Sequence, residues 1–153
     1  MEKPWKPADF GELGLRHEVN VFVFRVTATG LEYLLLQPPP RQEEVWRPVV
    51  HPVQLDEDLW EAAVRGVRAE TGIDRPFDLV GVGPAPVLDI GDLRLVGWPF
   101  GFQVRDPLCP VRDRGRLAGY SWQRFEDALR VMPIAIHRQN LLQVHWRLLD
   151  HAA

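Results

Sequence analysis

The chain has 153 residues, with 18 basic and 21 acidic side chains for a formal net charge of -3. At roughly 100–200 residues per domain this is the length of one domain, and 46% hydrophobic with 25% charged residues is a globular composition. The acidic balance argues against general binding to nucleic acid or anionic membranes, where a basic surplus supplies affinity. No apolar run approaches the ~20 residues of a bilayer crossing, and the opening Met1-Glu2-Lys3-Pro4 lacks a signal-peptide core. The lone Cys109 excludes an internal disulfide and Cys/His zinc clusters, so a cytoplasmic location is expected.

Residues 1–16, rich in Pro, Gly and charge, read as an N-terminal arm, and 17–153 as the folded domain. His17–Val26 alternates Val19, Val21 and Val23 against Asn20, Phe22 and Phe24, the period-2 pattern of a strand. Thr29-Gly30 turns it into a second strand, Leu31–Gln37, which the triplet Pro38-Pro39-Pro40 ends. A short third strand is expected over Val45–Val50. A helix follows, capped by Asp56, with Glu57 and Asp58 favouring its positive end. Its buried stripe is expected at Trp60, Ala63, Val64 and Val67, and Gly72 ends it. Phe77–Ile90 and Leu93–Arg105 read as strands around a Gly91-Asp92 turn, and Tyr120-Ser121-Trp122 as the last strand. Helices over Gln123–Val131 and His137–Asp150 close the chain, the second turning Leu141, Leu142, His145, Leu148 and Leu149 inward. Strands before, between and after helices imply an α/β chain with a mixed sheet covered on both faces.

Residues 51–73 carry the most specific signal. The segment His51-Pro52 … Glu57 … Arg65-Gly66-Val67-Arg68-Ala69-Glu70-Thr71-Gly72-Ile73 resembles the Nudix box, G-x5-E-x7-R-E-U-x-E-E-x-G-U, with U aliphatic. Glu57, Arg65, Val67, Glu70, Gly72 and Ile73 fall on matching positions. The strands Glu32–Gln37 and Val45–Val49 ahead of it, and Tyr120–Trp122 with Phe125–Leu129 behind it, are similar to those of MutT-like nucleotide pyrophosphohydrolases. The resemblance implies a Nudix-type α/β/α sandwich. It also implies a Mg²⁺ or Mn²⁺ cofactor held by the glutamates of R-E-U-x-E-E, which share a helix face. Those three positions here are Gly66, Ala69 and Glu70. The glycine pair that opens the box is His51-Pro52, and Arg116 stands about where a further acid is expected.

The leading expectation is therefore a Nudix-superfamily protein with weak or no hydrolysis that binds a nucleotide or nucleoside-diphosphate derivative. Glu70 is the residual catalytic and metal-ligand candidate, with Glu57 a second catalytic candidate. Glu57, Arg65 and Gly72 are structural positions of the box. His51, Arg47, Trp46 and Arg116 are candidate ligand contacts. Trp98, Phe100 and Phe102 offer stacking surfaces; Arg25, Arg41, Arg112 and Arg114 offer phosphate contacts. Glu61 and Arg65 stand at i, i+4, the spacing of a surface ion pair. One alternative is an active metal-dependent hydrolase drawing acids from Glu57, Glu43, Glu44, Asp89 or Asp92. Another is a protein-interaction module using Gln37–Arg41, and a homodimer is left open. Ser121 and Cys109 lack nucleophile motifs, and no phosphate-binding glycine loop is present.

Overall fold

The computed structural model describes residues 14–39, 45–112 and 116–152. Among these, strands β1 (Leu15–Thr27), β2 (Gly30–Gln37), β3 (Val49–Pro52), β4 (Pro76–Gly81), β5 (Val87–Ile90), β6 (Leu93–Val104) and β7 (Gly119–Arg124) form one sheet. Helices are α1 (Leu59–Thr71), α2 (Phe125–Val131) and α3 (Ala135–Ala152). The strand order is β4-β6-β1-β2-β7, with β3 also on β1 and β5 also on β6. β1 and β6 run parallel while the other pairs are antiparallel, so the sheet is mixed.

One edge of β1 is shared. Glu18–Val21 pair with β3, and Phe24–Thr27 pair with β2. The sheet forks there, and a single bridge between Leu36 and Arg47 spans the opening, with N···O distances of 2.8 and 2.9 Å. This is why the third strand is not Val45–Val50: Arg47 makes only the bridge, and the paired segment runs from Val49 to Pro52. The expected strand Phe77–Ile90 is likewise broken, because Gly83-Pro84-Ala85-Pro86 withholds two backbone donors between β4 and β5. Leu15 and Arg16 belong to β1, so the arm expected to end at residue 16 overlaps the sheet.

The alternation in β1 divides the core. Val19, Val21 and Val23 pack with Leu34, Leu36 and Val49 against Leu59, Ala62, Ala63 and Val67 of α1. Phe22, Phe24, Tyr33 and Leu35 pack on the other face against Ala128 and Met132, and against Leu141 and Val144 of α3. Full burial of each large apolar side chain contributes about 1.5–3 kcal/mol. The result is an α/β/α sandwich, α1 on one side of the sheet and α2 with α3 on the other. Among the described residues no helix is long and apolar enough to cross a membrane.

Two helix faces differ from expectation. In α1, Trp60 and Val64 are only half-buried, and the inward stripe is Leu59, Ala62, Ala63, Gly66, Val67 and Thr71. The cap is Asp58, which accepts from Glu61 N at 2.8 Å. Asp56 instead takes a left-handed φ of 64° in the turn before it, which a short polar side chain tolerates. In α3, Leu142 and Leu149 face solvent, and Ile136, Asn140, Leu141 and Val144 face the sheet. Asn140 reaches the sheet because β6 carries Gly97, where an added Cβ would lie 3.0 Å from Ile136.

Two buried histidines make the fold acid-sensitive. His17 accepts the Trp98 indole N–H on Nδ1 at 2.9 Å, and burial lowers its pKa to about 4. His137 on α3 is lowered to about 4 by burial and then by the charge of Arg47. Both must stay neutral in the fold, so the unfolded chain binds more protons once pH drops below about 6.5. Their stabilisation is complete above that pH and is lost as pH falls toward 4, on the order of 3 kcal/mol for each histidine. Urea unfolding at neutral and mildly acid pH should show this loss, and His137→Gln should remove roughly half of it. Equal stability at both pH values would contradict the assignment.

Candidate functional site

Every group of the site is positioned by α1 or by the fork beside it. Glu57, just ahead of the helix, accepts Arg65 Nε on Oε2 at 2.8 Å and Arg65 Nη2 on Oε1 at 3.0 Å. It also takes Gln54 N at 3.0 Å, while Arg65 donates to Pro52 O at 2.7 Å. Burial opposes the charge on Glu57, but Arg65 and the Gln54 amide outweigh it and hold the carboxyl below its usual range. The pair ties the turn before α1 to the end of β3. Arg65 therefore pairs with Glu57 across the turn.

Glu70, the candidate metal ligand, is not open. Arg47 grips it with two hydrogen bonds, Nη1 to Oε2 at 3.1 Å and Nη2 to Oε1 at 3.0 Å, and gives a third to Pro48 O at 2.8 Å. His51 Nε2 lies 3.4 Å from Oε1 on the same carboxylate. The Glu70 and Arg47 side chains are 14% and 17% exposed, so this contact is largely out of water. Burial would raise the Glu70 pKa, yet the bonds from His51 and Arg47 bring it below the usual carboxylate range.

His51 links the two ion pairs. Its Nδ1 lies 3.5 Å from Arg65 Nη1 and its Nε2 3.4 Å from Glu70 Oε1. The run Glu57–Arg65–His51–Glu70–Arg47 thus sets the His51 ring between two carboxylate–guanidinium pairs.

The imidazole also fills space. A Cβ added at Gly66 would stand 3.1 Å from both Cβ and Cγ of His51. In the register of the box, Gly66 stands where a glutamate is expected and His51 where the opening glycine is expected. The side-chain volume missing from the helix is supplied by the strand. Gly72 ends α1 with φ 75°, its N–H bonded to Arg68 O.

Beyond Arg47, on the α3 side of the sheet, lies a second polar group. Asn140 Nδ2 donates to Asn20 Oδ1 at 2.8 Å and to Gly97 O at 3.2 Å, and Asn20 Nδ2 donates to Glu18 Oε2 at 3.3 Å. Desolvation raises the Glu18 pKa, and the Asn20 bond and Arg47 oppose that rise. Asn20 and Asn140 are fully buried, and His137 Nδ1 is buried with no hydrogen-bond partner among the described residues. Reasoning from the sequence did not single out this group. The available signal was Asn20, a polar residue at a sheet-facing position within a run of Val and Phe.

The remaining candidates are dispersed. Trp46 is half-buried against the α3-side core, Trp98 packs on the α1 side, and Phe100 and Phe102 are buried core residues rather than stacking surfaces. Arg25 is engaged by Glu32 at 2.7 Å and lies over the Trp122 ring at 4.3 Å. Arg116 is exposed on the segment before β7. Asp89 pairs with Arg94 at 2.9 Å, and Asp92 sits in the β5–β6 turn. Arg41, Glu43, Glu44 and Arg114 lie outside the described residues, as does the His151 side chain. Among the described residues no three His, Cys, Asp or Glu side chains gather to hold a metal ion.

The sandwich, the forked sheet and a box helix on one face define the Nudix fold, and solved structures of that class superpose on this chain. The Ap4A hydrolase of C. elegans, solved as a binary complex, matches with a TM-score of 0.69 at 21% identity, covering 88% of this chain and 98% of that one. The Nudix domain of Shewanella oneidensis NrtR complexed with ADP ribose gives 0.69 at 19% identity and 94% of both chains. The E. coli dihydroneopterin triphosphate pyrophosphohydrolase gives 0.69 at 20%, covering 83% of this chain and 92% of its own. No family model and no curated protein matches the sequence itself.

Proposed function

We propose that this protein binds a nucleotide or nucleoside-diphosphate derivative without hydrolysing it and without a divalent cation. One observation carries the reading: Glu70 is already paired with Arg47, with His51 Nε2 beside it, and the space of the missing glutamate at Gly66 is filled by His51. Mg²⁺ requires near-octahedral oxygen ligands from carboxylates, water and phosphates. A lone glutamate clamped by a guanidinium does not meet that demand. Without the metal there is neither charge neutralisation of the phosphate nor activation of an attacking water.

Arg47 is the group that meets the ligand. It has donors beyond the three engaged by Pro48 and Glu70, and a guanidinium suits phosphate oxygens. Because Glu70 cancels its charge, the local field is weak, which favours a diphosphate ester over a free triphosphate. The neighbours holding ADP ribose and hydrolysing Ap4A support this ligand class.

The test is calorimetric titration with ADP-ribose-like diphosphates and nucleoside triphosphates, each with excess chelator and then with Mg²⁺ or Mn²⁺. Chelator should leave the affinity within about twofold, and no phosphate or nucleoside monophosphate should be released. Affinity that appears only with metal, or steady release of product, would overturn the proposal.

A further inference from the structure

A cleft of about 280 Å³ at the C-terminal end of α1 is lined by Arg75, Arg105 and Arg112 together with Asp74, Asp106 and Cys109. The three arginines come from three places: the α1–β4 connection, the residue after β6, and the connection toward β7. We propose that this cleft is an oxyanion site, taking inorganic phosphate or the phosphate end of a small ester.

The loop that brings Arg112 there is built rather than loose. Arg112 N donates to Thr71 O at 2.8 Å, docking the loop on the last turn of α1. Cys109 N bonds Asp106 O at 2.9 Å, and Leu108 N bonds Asp106 Oδ1 at 2.9 Å. The Arg112 stem lies on Gly72, where an added Cβ would stand 3.0 Å from Arg112 Cβ. Glycine at 72 therefore both ends the helix and admits the arginine.

The charges do not cancel. Three arginines face two aspartates, of which Asp74 leans to Arg68 at 3.7 Å and Asp106 spends an oxygen on the Leu108 amide. Among the described residues Arg75, Arg105 and Arg112 make no ion pair; residues 113–115 follow outside that set. The C-terminus of α1 carries only about half a negative charge, which accounts for one cation but not three. Guanidinium groups held at a common cleft repel each other, and a phosphate relieves this with charge-assisted bonds. At about 280 Å³ the cleft is just under the roughly 300–1,000 Å³ of sites for drug-sized ligands, which fits one small anion. It shares no residue with Arg47, His51 or Glu70.

The test titrates the full chain with inorganic phosphate and with ribose 5-phosphate in chelator, at low and high salt. Saturable binding to a single site, weakened by salt, is expected. The double variant Arg105→Gln/Arg112→Gln should weaken it about tenfold or more, with its unfolding midpoint unchanged because both side chains are exposed. Arg130→Gln, on the exposed face of α2, should bind as the parent does. Tighter binding of the free anion assigns inorganic phosphate, and tighter binding of the ester assigns a phosphate ester. Absence of saturable binding would overturn the proposal. Binding kept in the double variant but lost in Arg47→Gln would also overturn it, while supporting the metal-free site beside α1.

Discussion

Arg47→Met is expected to lower the free energy of unfolding by about 2–4 kcal/mol, and adding Glu70→Gln should return most of that loss. Removing one partner of a buried pair costs about 3–5 kcal/mol because a charge is stranded; slight exposure here reduces the figure. His51 alone, 3.4 Å from Oε1, replaces neither of the bonds from Arg47. The pair also sets an acid limit. The Glu70 pKa is depressed, so its stabilisation is present above the unfolded value of about 4.5 and is lost as pH falls through the folded value. Urea unfolding of both single variants and the double at neutral pH completes the cycle. Additive losses would mean that the contact contributes no coupling energy.

Restoring the missing acids as Gly66→Glu with Ala69→Glu is expected not to restore metal binding, and to destabilise the fold by about 1–3 kcal/mol. A side chain at 66 gains about 1 kcal/mol in helix propensity over glycine. That gain is outweighed, because the Cβ would meet Cβ and Cγ of His51 at 3.1 Å, and those atoms sit on the β3 backbone rather than at the end of a flexible chain. The new carboxylates would also face Arg47, which binds them in place of a cation. Adding His51→Gly and Arg47→Met to the pair removes both obstacles, and Mn²⁺ binding should appear only in that fourfold variant. Mn²⁺ binding by the twofold variant, read by calorimetry, would show that the imidazole and guanidinium do not block the site.

The fold was legible because local patterns carry it. The alternation of Val and Phe in β1 set the two faces of the sheet, and the spacing of Glu57, Arg65 and Gly72 placed the box helix in its register. Ends were less legible. Asp56 and Asp58 are equally good caps by composition, and only the geometry of the turn chose Asp58. For the site, the shortage of carboxylates at Gly66 and Ala69 could be read directly. What stands in their place could not. Arg47 is 23 residues from Glu70, and Asn20 is 120 from Asn140.

The sequence by itself determined the order and sidedness of the elements, since periods of 2 and about 3.6 are local consequences of backbone geometry. It also determined that positions 66, 69 and 70 of α1 carry glycine, alanine and a single acid. The tertiary structure alone decided that this acid is neutralised, that an imidazole occupies the vacated space, and that three arginines from distant segments share a cleft. Electrostatic attraction and steric exclusion depend on separation in space, which no spacing along the chain prescribes for groups on different elements.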